Sequence, residues 1–251
     1  MAEFVNQHKK MHNTIYIILI LALNSCTKGG SNDLTGMNLL GDIKSIHEEK
    51  RDYNGELMMT KETYFTNSGM VKSIEFFYPE NQVSNKSINH YDFRDRLTKQ
   101  DFIMNDSLML TQEYLQINPN KDSLLAYDSN GDLINIAVLE YNNDKQVVES
   151  KLFDLQKDLI YSETSIYDAS SCLKETRIKS LDSSSNGEIY TYSYDSMGRI
   201  QTFSVTNSID KFESIEKYIY KTDEMNNWFK KQIISSKGEV IAIVTRKIEY
   251  Q

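Results

Sequence analysis

A tyrosine that recurs at a nearly fixed step is the feature that most constrains how this chain of 251 residues folds. Successive copies lie 23 to 27 residues apart. The seven marker tyrosines are Tyr64, Tyr91, Tyr114, Tyr141, Tyr167, Tyr194 and Tyr220. A near-constant step over so many copies indicates a repeat architecture, in which each copy is a small unit that packs on its neighbours.

Turn-forming residues follow most of these tyrosines. The clearest copies are YDSMGRI over residues 194–200, YDSNGDL over 127–133 and YDFRDRL over 91–97. A second set of turns lies between the markers, as at Asn54-Gly55 and Asn186-Gly187. Turn signals therefore fall about every 13 residues, close to the spacing expected of antiparallel strands joined by hairpins.

The segments between the turns have the composition and alternation of strands. Three tyrosines share one face of residues 189–194, and the chain holds 16 Tyr and 10 Phe but only 2 Pro. Aromatic residues favour strands, whereas proline removes a hydrogen-bond donor from a sheet. The sequence predicts an all-β domain over residues 41–251, a single extended, curved antiparallel meander of about 14 short strands built from YD-type hairpins of about 26 residues.

A targeting signal precedes this domain. Lys9 and Lys10 come before an uncharged apolar run over residues 14–23, which is too short to cross a bilayer and fits a secretory signal. Leu23-Asn24-Ser25-Cys26 resembles the lipobox of bacterial lipoproteins, which implies a lipid on Cys26 and a membrane anchor. We expect a signal peptide over residues 1–25 and a flexible, glycine-containing tether over 26–40.

The repeat itself resembles two known groups. The YD copies resemble the YD repeats of the RHS family, and both ends of the domain resemble small repeat lipoproteins of Bacteroidota envelopes. The end signatures are GDIKSI over residues 41–46, Asn227-Trp228, and RKIEY over 246–250. The resemblance covers residues 41–251 and implies an exported protein of the cell envelope, anchored by lipid at the outer membrane on its periplasmic side or at the cell surface. It implies no known activity.

Little in the sequence points to chemistry. The charge of −8 and the lack of a basic block exclude nucleic acid as a partner. The two histidines after the signal, His47 and His90, have no metal-ligand spacing. Residues 128–132 copy the first half of a calcium loop but lack the glycine at its sixth position, so they are interpreted as a turn. We predict no enzyme, no cofactor and no metal.

The predicted function is therefore that of a binding or scaffolding platform on one face of the repeat sheet. The candidate binding-face residues are Tyr91, Tyr127 and Tyr194, and a glycan or an envelope protein is the expected partner. Packing within the sheet is the simpler role for these tyrosines. Two alternatives are a carboxylate-based glycan hydrolase and a carrier of lipid or hydrophobic polymer on the curved sheet.

Overall fold

The computed structural model describes residues 33–37, 39–180, 187–207 and 213–251. The predicted signal peptide and Cys26 lie outside these ranges. One short helix, α1 (Asp33–Gly36), precedes sixteen strands in the described part of the chain. No helix in these ranges is long and apolar enough to cross a membrane.

Each strand runs antiparallel to the next. The strands are β1 (Ile43–Asp52), β2 (Leu57–Phe65), β3 (Val71–Tyr78), β4 (Val83–Tyr91), β5 (Leu97–Met104), β6 (Ser107–Asn118), β7 (Lys121–Asp128), β8 (Leu133–Tyr141), β9 (Val147–Phe153), β10 (Leu159–Tyr167), β11 (Leu173–Ser180), β12 (Glu188–Tyr194), β13 (Ile200–Asn207), β14 (Glu213–Thr222), β15 (Trp228–Ser235) and β16 (Val240–Tyr250).

The first and last strands also pair with each other, so the sheet is a closed barrel. In this seam Ile46 lies opposite Ile248, and Lys44 Nζ lies 2.9 Å from Glu249 Oε1. Closure is favourable because an open sheet leaves two edges of unpaired backbone groups.

The prediction of a single extended, curved meander of about 14 strands is therefore wrong, because the described sheet has sixteen strands and closes on itself. Seven marker tyrosines correspond to seven turns at one end of the barrel, and each turn joins two strands, which accounts for β2 to β15. The two remaining strands, β1 and β16, are the segments that carry the end signatures, and they close the barrel. We call the end with these seven turns the marker end.

Both ends of the barrel use the same turn. In the turn after β12, Asp195 Oδ1 accepts hydrogen bonds from the backbone N–H groups of Met197 and Arg199, at 2.9 and 3.0 Å. Gly198 then takes a φ of 77°. Copies without glycine form the turn as well, since Lys145 and Ser171 each take a φ of 61° at the equivalent position. The cap is Asn142 in the first of these turns and Asp168 in the second. An aspartate or asparagine side-chain oxygen, more than the glycine, is therefore what these turns share.

The calcium-like segment is such a turn, at the opposite end of the barrel. Asp128 Oδ1 accepts the N–H groups of Asn130 and Asp132, at 2.9 and 3.0 Å. These backbone bonds lower the pKa of Asp128.

Marker tyrosines tie neighbouring hairpins together at the marker end. The hydroxyls of four of the seven donate to the backbone carbonyl of the first strand residue after the preceding marker-end turn, whereas that of Tyr141 donates to Asp122 Oδ2 at 2.9 Å. The bonds are Tyr91 to Val71 (2.7 Å), Tyr167 to Val147 (3.0 Å), Tyr194 to Leu173 (2.7 Å) and Tyr220 to Ile200 (2.8 Å). At these four markers the regular step of the sequence reflects a regular hydrogen bond between repeats.

Part of the predicted tether is packed against this end. Leu34 and Leu39 are buried among residues of β1 to β3. Asp33 Oδ2 accepts the N–H of Val71 at 2.6 Å, and Leu40 exchanges two hydrogen bonds of 2.8 Å with the Asn227 side chain. Within the predicted tether of residues 26–40, residues 33–37 and 39–40 thus belong to the folded domain.

We predict that Tyr194→Phe lowers the free energy of unfolding by about 1 kcal/mol, because it leaves the Leu173 carbonyl without its hydroxyl donor. Urea unfolding measures this change. Tyr127→Phe is the matched control, since the Tyr127 hydroxyl makes no hydrogen bond within the described part of the chain. Equal losses in both variants would show that the hydroxyl of the marker tyrosine does not tie the hairpins.

Candidate functional site: the barrel lumen

The barrel is wide enough to enclose a lumen. Sixteen strands spaced about 4.8 Å apart give a backbone diameter of about 25 Å or more for a round barrel, whereas side chains fill barrels of about eight strands. Most of the buried apolar side chains of the described residues form three separate clusters along the wall, around Ile46, Leu124 and Trp228. A filled interior has one continuous core.

The inner wall is most open to water along β12, β13 and β14. None of these three strands contains a fully buried residue. Their inward positions nevertheless carry aromatic side chains, among them Tyr192 and Phe203, whose rings lie 5.4 Å apart. Half-exposed rings on an inner wall form an accessible lining, unlike packed core residues.

We call this lining, together with the inward residues of β10 on the far side of β11, the tyrosine–glutamate sector. Its members are Tyr161, Glu163, Glu188, Tyr190, Tyr192, Phe203, Glu216 and Tyr218. It contains three pairs in which a tyrosine hydroxyl donates to a glutamate two positions away on the same strand. They are Tyr161 to Glu163 (3.3 Å), Tyr190 to Glu188, and Tyr218 to Glu216 (2.7 Å).

Glu163 lies on β10, at one edge of this sector, and is 8% exposed; its charge acts on Tyr190 and Tyr192. Burial raises its pKa to about 7, and the hydrogen bond from Tyr161 only partly opposes this. Burial also raises the pKa of Tyr192, and the nearby charge of Glu163 adds to that rise. The sector thus holds a carboxyl group that exchanges its proton near neutral pH.

A second group of inward charges adjoins this sector. We call it the cationic cluster; it consists of Lys61 on β2, Lys231 on β15 and Arg246 on β16, around Glu48 on β1. Arg246 Nη2 lies 3.0 Å from Glu48 Oε1, and Lys61 Nζ lies 3.1 Å from Glu48 Oε2. Burial would raise the pKa of Glu48, but the charges of Lys61 and Arg246 outweigh it and lower that pKa to about 2.

The two groups meet at aromatic rings. Lys231 Nζ lies 5.2 Å from the centroid of the Tyr218 ring and 5.3 Å from that of Trp228. The Arg246 guanidinium lies 3.5 Å from the centroid of the same Trp228 ring. The inner wall therefore changes from acidic and aromatic to cationic across Tyr218.

The three tyrosines predicted as a binding face do not lie together. Tyr91 and Tyr194 point inward at the marker end, where their hydroxyls bond to backbone carbonyls. Tyr127 lies at the opposite end of the barrel, where it pairs with Thr111. Its side chain is on the outer face, because Leu124 and Ala126, which alternate with it along the strand, are buried on the inner face. Both ends use the same YD turn, so the motif does not distinguish them.

Sequence reasoning missed the inward charges. One signal was available: Tyr161, Tyr190 and Tyr218 each stand two positions from a glutamate, which places both side chains on one face of a strand. The cationic cluster had no comparable signal, because its four residues come from four strands that meet only at the closing seam.

The outer face carries ion pairs between and along strands. Examples are Lys86 with Glu75 (3.7 Å), His90 with Asp101 (2.8 Å) and Lys121 with Glu140 (3.0 Å). Charged groups of this kind suit a face that contacts water, since a lipid-facing barrel wall carries an apolar band.

Comparisons with known proteins give only a structural likeness. No protein-family model matches the chain, and no curated protein matches it. A porin-like protein from Bacteroides uniformis ATCC 8492 is similar in structure, with a TM-score of 0.43 and 11% identity, over 82% of this chain and 98% of that one. A porin-like protein from Bacteroides vulgatus ATCC 8482 has a TM-score of 0.36 and 10% identity, over 83% and 98%. Similarity at this level assigns no function.

The functions predicted for one face of an extended sheet are corrected by the closure of the barrel. A scaffolding platform and a carrier on a curved sheet both need an open concave or flat face, and the sheet closes on itself instead. The alternative of a glycan hydrolase requires a pair of carboxyl groups that are free to act on a glycosidic bond. The carboxylates of Glu163, Glu188 and Glu216 each accept a hydrogen bond from a tyrosine of their own strand.

The raised pKa of Glu163 predicts a pH-dependent stability. Its carboxyl titrates at 4.5 when unperturbed and at about 7 in the folded chain, so the folded state binds the extra proton between these values. The free energy of unfolding should fall as the pH rises through this window, by up to about 3 kcal/mol, and level off above it. Urea unfolding from pH 4.5 to 8 measures the slope.

Glu163→Gln is the matched variant, because the amide keeps the shape of the side chain and does not titrate. The unfolding free energy of the native chain, minus that of this variant, should therefore fall as the pH rises through the same window. A difference that does not vary with pH would contradict a raised pKa at Glu163.

Proposed function

We propose that the barrel admits a polar, ring-bearing solute of the saccharide class into its lumen and binds it there without a chemical step. The observation that carries this proposal is the inward, half-exposed lining of tyrosine rings and carboxylates on β12 to β14. A closed barrel of this width provides the space, and the lining provides the contacts.

The chemistry of the lining fits sugar rings. Tyrosine and phenylalanine faces pack against the apolar side of a ring, and Tyr192 and Phe203 present such faces. Carboxylate oxygens accept hydrogen bonds from hydroxyls, and Glu188 and Glu216 each have one oxygen beyond the one held by a tyrosine. These contacts lie on neighbouring strands, as an elongated solute requires.

The bacterial cell envelope is the proposed location of the protein. The signal-like segment and the lipobox-like sequence support export and a lipid on Cys26, which would hold the barrel at a membrane. The ion pairs of the outer face support a wall that stands in water beside that membrane. The outer membrane is the proposed site of the anchor.

A membrane-spanning channel is the second candidate, because barrels of 16 to 18 strands are those that leave an aqueous channel. Conductance across a planar lipid bilayer tests it. The ionised outer face predicts no stepwise conductance from the purified barrel, whereas discrete single-channel steps would favour the channel.

Isothermal titration calorimetry with maltotetraose, cellotetraose and tri-galacturonate tests lumen binding. At least one of these probes should bind saturably, and Tyr192→Ser should weaken that binding about tenfold by removing a stacking face. Tyr127→Ser is the matched control on the outer face and should leave the affinity unchanged. Urea unfolding of each variant confirms that it is folded.

Two results would contradict the proposal. One is the failure of all three probes to bind. The other is an equal loss of affinity in the folded Tyr127→Ser and Tyr192→Ser variants, which would place the contact outside the lumen.

A further inference from the structure

We propose that the cationic cluster is an oxyanion site, so that the solute of the lumen carries a carboxylate or phosphate group held by Lys231 and Arg246. This inference rests on the proposed lumen function and names the chemical class of its solute. A sugar acid and free phosphate share the required chemistry, and the experiment below separates them.

The charge balance of the cluster is the first reason. Three cations, Lys61, Lys231 and Arg246, face a single carboxylate, Glu48. Lys50 adds a further positive charge close enough to act on Lys231. Buried charges are stable when they are paired, so a cluster with excess positive charge is incomplete without an anion.

The hydrogen bonds of Glu48 show which cations are in surplus. Arg246 donates to Glu48 Oε1 from Nε (3.2 Å) and Nη2 (3.0 Å). Lys61 Nζ lies 3.1 Å from the other oxygen, Glu48 Oε2. Both oxygens of the carboxylate are therefore occupied. Lys231 has no hydrogen bond or ion pair with a carboxylate of the described residues. Arg246 and Lys61 already neutralise Glu48, so Lys231 is not needed for that purpose.

Arg246 supplies an unused donor. Its side chain is 9% exposed, and its Nη1 is buried without a hydrogen-bond partner among the described residues. A buried guanidinium nitrogen without an acceptor is costly unless a ligand supplies one. Planar guanidinium groups bind carboxylate and phosphate through two parallel bonds.

Aromatic rings hold the two surplus donors at one place. Lys231 and Arg246 both lie over the Trp228 ring, with distances to its centroid of 5.3 and 3.5 Å. The Lys231 ammonium also lies beside the Tyr218 ring, which belongs to the tyrosine–glutamate sector. An anionic group at this place therefore leaves the rest of a solute against the sugar-binding lining.

The acid–base properties of Lys231 agree with this geometry. Burial lowers its pKa to about 8, and the charges of Arg246 and Lys61 add to the effect of burial, although Glu48 opposes them. A bound anion would offset this repulsion. The mutual repulsion of these cations is thus one that a bound oxyanion relieves.

The test compares inorganic phosphate, tri-galacturonate and the neutral maltotetraose by calorimetry and by fluorescence of Trp228, the only tryptophan in the chain. One or both anions should bind saturably and change the Trp228 emission. Lys231→Met should weaken anion binding about tenfold or more, as expected for loss of one charge-assisted bond. Binding of tri-galacturonate but not phosphate identifies a sugar acid; the reverse identifies phosphate.

Lys230→Met is the matched control, since Lys230 is the preceding residue on β15 and pairs with Thr245 on the outer face. It should leave anion binding unchanged. Lys231→Met should unfold at the same or a higher urea concentration, because it removes a repelling charge. Should it fail to fold, Lys231→Gln keeps a polar head group and serves as the second variant.

Three outcomes overturn the inference: no saturable binding of either anion, equal affinities in the Lys231 variant and the native chain, or equal losses at Lys230 and Lys231. If maltotetraose still binds in a manner that depends on Tyr192, the lumen proposal survives while the anion site fails. If phosphate binds through Lys231 and no saccharide binds, the anion site survives while the saccharide proposal fails.

Discussion

The pairing of β1 with β16 is the interaction on which the rest of the molecule depends. It joins residues about 200 positions apart, and without it the sheet would have two open edges and no interior. The same seam builds the cationic cluster, because Glu48 comes from β1 and Arg246 from β16. Closure of the fold and assembly of a charged site are thus one event, which explains how a chain without a recognisable catalytic motif acquires a concentrated polar centre.

Tyrosine serves two roles that differ by position along the strands. At the marker end, hydroxyls such as that of Tyr194 bond to the backbone of the preceding hairpin and hold the repeats in register. Further along the strands, Tyr190 and Tyr218 bond to glutamates and line the lumen. Glu163, with its pKa raised to about 7, and the surplus Lys231 both cost stability in the folded chain. Residues kept at such a cost are those expected of a binding site.

Local patterns in the sequence were sufficient for the local structure. The Asp-capped turns, the strands between them and the antiparallel order follow from hydrogen bonds within a few residues, such as those of Asp195. Closure did not follow, because no local rule states that the strand after Gly41 pairs with the strand before Gln251. The candidate Tyr127 failed to join Tyr91 and Tyr194 for a related reason: its YD turn is chemically the same but lies at the other end of the barrel.

Amide hydrogen exchange of β1 and β16, read residue by residue, tests the closed barrel most directly. In the closed barrel both strands are paired on both sides, so their amides should be protected to within about tenfold of those in the central strand β8. In an open sheet, every second amide of β1 and β16 would face solvent and exchange as fast as amides in the turns. Such an alternating pattern of fast exchange in both strands would contradict the seam, the lumen and the site that they build.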